Sequence, residues 1–253
     1  PSGRRRYLDV MLSQVDRAYL RALQRYTKVI AQRNALLKRI SEGASQRDEL
    51  SYWDDELSRE GAVILHARAR AVAQLSLAAA DAHARLSGER EQFALAYEPR
   101  FADGWDPDRI AAATVEDVRA ALIEKLHATH ARDIGARVTL TGPHRDDLSM
   151  TLGGEPAASF ASRGQQRTAA LALRLAEARL LQDRSGERPI LLLDDVLSEL
   201  DEARRASVLA ALDAEQVIIT SADADRFGDL IASAQVWHVT AGVATRLPAE
   251  GAA

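Results

Sequence analysis

The sequence predicts an α/β chain in which a long helical arm precedes a half-domain of helices alternating with short parallel strands. Three observations carry that expectation. Only 5% of the 253 residues are aromatic while 28% are charged, a balance that favours long Ala/Leu/Arg-rich helices over a β-sandwich or barrel. Apolar residues recur at three- and four-residue steps as far as Leu86, the signature of helices with one buried face. Beyond residue 132 the period changes to short aliphatic runs separated by helical stretches, as parallel sheets require. The expected division is therefore a helical arm over 1–131, with a connecting strand and loop near 93–108, and an α/β part over 132–253.

In the arm, Leu12, Val15, Tyr19, Leu23, Tyr26, Ile30 and Leu37 form one stripe with a single gap, so one helix is expected from Tyr7 to about Ile40. Gly43-Ala44-Ser45 breaks it. A second helix is expected from about Asp48 to Leu86, with Leu57, Gly61, Ile64, Arg68, Ala71, Leu75, Ala79 and Ala82 in register and Ser87-Gly88 as its stop. Such a pair makes a helical hairpin, and an ordinary bundle fits the pattern equally well. Phe93, Leu95 and Tyr97 alternate as a short strand, after which Pro99, Gly104 and Pro107 suggest a loop. Thr114 and Asp117 resemble a capping box for a helix reaching about Arg132.

The α/β part is expected to hold strands around Val138–Leu140 and Leu148–Leu152, a helix over Gln165–Asp183, the strand Ile190–Leu193, a helix over Glu202–Leu212, the strand Val217–Thr220 and two strands about Gly242. With no cysteine there is no disulfide framework, thiolate metal site or cysteine nucleophile, which fits a reducing compartment and predicts a cytoplasmic location. No apolar run approaches the roughly 20 residues a bilayer needs, and the basic start lacks an apolar h-region, so neither membrane insertion nor export is expected.

The net charge of −4 excludes a surface that is basic throughout, yet residues 1–40 carry ten Lys and Arg against two Asp, a local +8. Arg4, Arg5, Arg6, Arg17 and Arg21 are the candidates there for phosphate contacts on DNA. Composition alone serves equally well for a solvated helix face.

Ile190-Leu191-Leu192-Leu193 runs directly into Asp194-Asp195. Four aliphatic residues predict a strand buried on both faces, and two carboxylates at its C-terminal end stand where open α/β sheets bind ligands. In phosphoryl transfer the first acid can hold Mg²⁺ and the second can orient or deprotonate water; a helix N-cap would use one acid, not two. Upstream, Ser162-Arg163-Gly164-Gln165-Gln166-Arg167 opens a helix, where a hydroxyl, first-turn amides and the helix dipole can meet a phosphate, although a plain cap reads the same way. Ser198-Glu199-Leu200-Asp201 leads into the next predicted helix.

Taken in order, Ser-x-Gly-Gln-Gln, a helix, four aliphatics with Asp-Asp, and Ser-x-Leu-Asp resemble the C-terminal half of ABC-type ATPases. More narrowly, Thr141-Gly142-Pro143-His144-Arg145-Asp146-Asp147-Leu148, Phe160 to Thr168 and Leu191 to Asp201 are similar to three consecutive blocks of the RecF family. Arg4-Arg5-Arg6-Tyr7-Leu8-Asp9 and Arg33-Asn34-Ala35-Leu36-Leu37-Lys38 are similar to its block entering the helical lobe. The resemblance implies an ABC-type ATPase head with an inserted helical lobe, related to SMC proteins. It implies an ATP-dependent homodimer that holds duplex DNA beside a single-strand gap and, with RecR and RecO, helps load RecA in DNA repair, replication restart and the SOS response. Carried over by residue, Ser162, Arg163, Gly164, Gln165 and Gln166 would face the partner head's ATP, Asp194 would support Mg²⁺, Asp195 would position water, and Asp201 would lie at the dimer seam.

A complete head also needs GxxxxGK[ST], and this sequence contains none, so the chain is expected to be a fragment without roughly the first hundred residues of the family pattern, unable alone to bind ATP tightly or hydrolyse it. Asp195 stands where many ABC proteins have Glu, which suggests slow hydrolysis. Thr220-Ser221 stands where transporter ATPases often carry a switch histidine; neither hydroxyl is a general base at neutral pH. Two other classes remain open at this point. One is a non-catalytic DNA- or partner-binding module; the other is a metal-dependent nuclease built from His144, Arg145, Asp146 and Asp147 with Asp194 and Asp195.

Overall fold

A computed structural model of the 253-residue chain describes residues 1–88, 91–196, 205–208, 216–222 and 234–247. The arm opens with α1 (Ser2–Val15) and α2 (Arg17–Ser41), followed by α3 (Leu50–Ser87). The single helix expected over 7–40 is in fact two. Asp16 adopts an extended backbone (φ −131°, ψ 99°) and its carboxylate accepts from the amides of Ala18 and Tyr19. An aspartate that caps its own downstream neighbours stabilises a helix start more than a continuous helix.

The stripe on α2 has its gap filled by Arg33, which is as fully buried as Tyr19 and Leu37 on either side of it. Arg68, on the apolar register of α3, is buried too. Both lie inside because each is matched by carboxylates. Arg33 donates from Nε to Asp54 Oδ1 (2.8 Å) and from Nη1 to Asp133 Oδ2 (2.7 Å). Arg68 donates from Nη2 to Asp9 Oδ1 (2.7 Å) and from Nη1 to the Pro143 carbonyl (2.7 Å), with Asp146 Oδ2 at 3.5 Å. Gly61 lets the helices approach: a Cβ there would sit 2.8 Å from Leu122 Cδ2 and 3.2 Å from Tyr26 Cε2.

β1 (Phe93–Glu98) leads through α4 (Pro107–Ala112) to α5 (Val115–Ala136). The short α4 falls in the segment expected to be a loop; Asp106 caps it and Pro107 fits its first turn. The capping box of Thr114 and Asp117 is present at the start of α5. Val138 and Leu140 do not form the expected strand. Arg137 turns left-handed (φ 58°), after which the amide of Thr139 donates to Asn34 Oδ1 (2.8 Å) and that of Leu140 to Asp133 Oδ1 (3.1 Å). Side chains of α2 and α5 thus take the hydrogen bonds that a neighbouring strand would have taken.

β2 (Asp147–Leu152) pairs antiparallel with β1, Tyr97 opposite Leu148, and with the short β3 (Glu155–Pro156). After α6 (Ala157–Phe160) comes α7 (Arg163–Ser185), then β4 (Ile190–Asp194) and β5 (Gln216–Thr220), which pair in parallel, and the hairpin of β6 (Trp237–Thr240) and β7 (Val243–Arg246). Residues 205–208 of the helix expected over 202–212 are helical. The largest core joins Leu12, Tyr26, Leu65, Phe93, Leu122, Leu148 and Leu173. Fully burying each such side chain stabilises by about 1.5–3 kcal/mol. The boundary expected at residue 132 falls inside α5, and the apolar core draws on residues from both sides of it.

Candidate active site

α7 and the β4/β5 pair share a second core of Leu171, Ala172 and Leu193, with Val217 and Ile219 packed against it. That core fixes the two sequence-predicted groups of residues to one structural unit. β4 is not buried on both faces, however: Ile190 is 58% and Leu192 70% exposed, and Ile218 beside Leu192 is exposed as well. Among the described residues the pair is two strands wide and α7 covers one face only, so alternate aliphatics point outward.

At the C-terminal end of the pair, Asp194 lies opposite Thr220. The Thr220 hydroxyl donates to Asp194 Oδ1. The next residue, Asp195, is left-handed (φ 51°), a conformation Asp tolerates better than most residues. Its amide donates to Thr220 twice, to the carbonyl oxygen (3.1 Å) and to Oγ1 (3.1 Å). Thr220 thereby orients the Asp194 carboxylate and anchors the Asp195 backbone, and all three side chains are exposed.

At the start of α7, Ser162 is the N-cap. Its Oγ accepts from the Gln165 amide (3.3 Å) while its own amide donates to Gln165 Oε1 (2.7 Å). Gln165 Nε2 donates to Glu91 Oε1 (2.6 Å), and Gln166 Nε2 to the Ala161 carbonyl (3.0 Å). The side chains of this loop are therefore engaged locally. Helix geometry leaves the amides of Arg163 and Gly164 as first-turn donors at its positive end. Arg163 is exposed. Asp201, with Ser198, Glu199 and Leu200, lies outside the described residues.

The basic segment divides. Arg4 is spent on a bidentate pair with Asp147 (2.9 and 2.7 Å), which holds that carboxyl down at about 2, and Arg5 donates to the Asp146 carbonyl (2.6 Å). Arg6, Arg17 and Arg21 are exposed.

The residues of the nuclease alternative have structural partners. His144 meets Tyr26 Oη through Nδ1 (2.8 Å) and the Thr139 carbonyl through Nε2 (2.9 Å). Arg145 donates to that same carbonyl. Asp146 accepts from the Tyr97 hydroxyl and the Arg100 amide, and burial raises its pKa against the pull of Arg68. Among the described residues these groups do not gather with Asp194 and Asp195 into a metal-ligating cluster; the one such cluster is Asp54, His127 and His130. Sequence reading passed over it although His127 and His130 stand three apart on α5.

Burial, with Arg145 adding to it and the Thr139 bond opposing, pushes the His144 imidazole down to about 4 from 6.5. The unfolded chain then takes up this proton before the folded one does. His144 therefore supports the fold fully above about pH 6.5, and that support is lost as pH falls towards 4. Between pH 7 and 4.5 this group alone is expected to remove about 2 kcal/mol. Urea midpoints across that range should fall less steeply in His144→Gln than in the unaltered chain; parallel curves would contradict the assignment.

Among the described residues no helix is long and apolar enough to cross a membrane. No family model matches the chain. It is similar to the DNA replication and repair protein RecF of Roseiflexus castenholzii, 44% identical over 254 residues, covering 96% of this chain and 62% of that protein. The RecF of Herpetosiphon aurantiacus is 46% identical over 231 residues, covering 90% and 57%. Two solved structures of the recombination mediator protein RecF in the RecFOR pathway, described as RecF-ATP and RecF-ATPrS, superpose with a TM-score of 0.80 at 30% identity over 98% of this chain. The chain spans about three-fifths of the length of these relatives. With 44% and 46% identity over 96% and 90% of its length to two RecF proteins, the chain belongs to the RecF family.

Proposed function

We propose that the chain supplies one half of a RecF-type ATPase site, the half carrying the α7 loop and the Asp194-Asp195 strand end. The observation that carries the reading is the convergence of Asp194, Asp195 and Thr220 at the C-terminal end of the parallel pair. Paired oxygen donors at an exposed strand end suit Mg²⁺, a hard cation, and Asp194 is the residue that would hold it. When bound, Mg²⁺ offsets phosphate charge. Asp195 orients the attacking water and accepts its proton. Thr220 acts as a positioning residue, its hydroxyl donating to the Asp194 carboxylate and accepting from the Asp195 amide.

Ser162, Arg163, Gly164, Gln165 and Gln166 contact the γ-phosphate of ATP held by a second head, through the first-turn amides and Arg163; Asp201 lies at the seam between heads. In this reading the assembled protein hydrolyses ATP slowly, to ADP and phosphate, with stimulation by DNA. It acts as a homodimeric clamp on duplex DNA next to a single-strand gap and assists RecA loading with RecR and RecO. Of the five arginines expected to meet DNA, Arg6, Arg17 and Arg21 are exposed for phosphate contact.

The sequence holds no GxxxxGK[ST], so the phosphate-cradling half must come from another segment. The test is fluorescent-ATP binding with Mg²⁺ by the chain alone and after mixing with a separately expressed P-loop lobe carrying GxxxxGK[ST]. Binding is expected in the mixture only. Tight binding by the chain alone, or none in a mixture that forms a complex, would overturn the proposed division of the site.

A further inference from the structure

Asp54 on α3 and His127 and His130 on α5 bring three ligand-type atoms within 4.8 Å of one another, apart from every residue discussed for ATP or DNA. His130 Nε2 lies 2.6 Å from Asp54 Oδ2, and His127 Nε2 lies 3.9 Å from the same oxygen. The carboxylate is fully buried and its other oxygen is fixed by Arg33 Nε at 2.8 Å. An oxygen held from behind in this way is aimed at the two imidazoles.

A hydrogen bond to Asp54 accounts for one histidine but not two: His130 Nε2 is within hydrogen-bond distance of Oδ2 and His127 Nε2 is beyond it. His127 is 53% exposed and its ring is nevertheless turned so that Nε2 approaches Oδ2. Divalent transition metals bind imidazole nitrogen and carboxylate oxygen at about 2.0–2.2 Å, so tetrahedral ligands stand about 3.3 Å apart. The two observed separations, 2.6 and 3.9 Å, straddle that value. Small rotations of two side chains three residues apart on one helix would equalise them.

We propose that Asp54, His127 and His130 form a binding site for a divalent transition-metal ion of the Zn²⁺ class, clasping α3 to α5 and leaving the outer coordination position, on the His127 side, to water. The donor set of two imidazoles and one carboxylate selects against Mg²⁺ and Ca²⁺, which prefer oxygen throughout.

The untagged 253-residue chain is titrated with Co²⁺, followed by its visible absorption, and then with Zn²⁺ as displacing ion and by calorimetry. One equivalent per chain is expected, with Zn²⁺ abolishing the Co²⁺ spectrum and raising the melting temperature. His127→Ala, at a half-exposed position whose ring stands 3.9 Å from Asp54, beyond hydrogen-bond distance, should fold normally and lose at least about tenfold in affinity, the lower range seen even for outer-shell changes. His238→Ala, on the exposed strand β6, should bind as the unaltered chain does. Absence of saturable uptake, or uptake unchanged in His127→Ala, would overturn the assignment.

Discussion

Arg33→Met is expected to destabilise the chain by about 3–5 kcal/mol, because it strips the partner from two buried carboxylates at once. Asp54 and Asp133 are both fully buried, and Arg33 also donates to Thr139 Oγ1 at 2.9 Å. Both carboxylates would be left without their cation in a buried interior, where desolvation outweighs what packing a methionine returns. Arg33→Lys should recover little, since a single ammonium cannot reproduce two donors aimed at two different helices. The measurement is the urea midpoint at unchanged m-value. A triple variant, Arg33→Met with Asp54→Leu and Asp133→Leu, should regain most of the loss. A loss below about 1 kcal/mol in the single variant would mean that the network contributes little and that water reaches it.

Gly142→Ala is the second large effect, expected near 3–4 kcal/mol from two separable sources. At φ 123° and ψ 177° the backbone occupies a region essentially reserved for glycine, where another residue costs about 1–3 kcal/mol. The added Cβ would also fall 2.5 Å from Tyr26 Oη, and such overpacking costs about 1–3 kcal/mol more. Tyr26 cannot retreat freely, because its hydroxyl meets His144 at 2.8 Å. In a chain of this size the melting temperature should drop by roughly 10 °C. Combining Gly142→Ala with Tyr26→Phe removes the clash but not the backbone strain, so the pair should cost less than the sum of the singles. Strict additivity would assign the whole effect to the backbone.

The arm was largely legible because its information is periodic. Apolar stripes located α3 and α5 to within a few residues, and Thr114 and Asp117 announced the start of α5. Its errors have local causes: Asp16 interrupts the first helix by capping the second, and Asp106-Pro107 starts a helix too short for periodicity to show. Arg33 and Arg68 read as polar intrusions in apolar stripes, since the carboxylates that admit them come from distant segments. For the site, Asp194, Asp195 and Ser162 stood out through position at a strand end and a helix start. Four aliphatics in a row record a preference for burial, yet Ile190 and Leu192 remain exposed because hydrophobicity does not state whether a covering surface lies in the same segment. The Asp54 cluster was out of reach because its acid and His130 are 76 residues apart and only the packing of α3 on α5 unites them.

The ion pair of Arg4 with Asp147 has a consequence for the order in which the chain is made. Its two ends are 143 residues apart, so at about 5–20 residues per second the ribosome delivers the aspartate roughly 7–30 s after the arginine. Within that interval β1 also waits for β2, and Arg33 for Asp133, 100 residues later. α1 and α2 therefore emerge with their apolar stripes and unmatched cations open to solvent, and vectorial synthesis makes the nascent arm, rather than the finished protein, the form most in need of a chaperone.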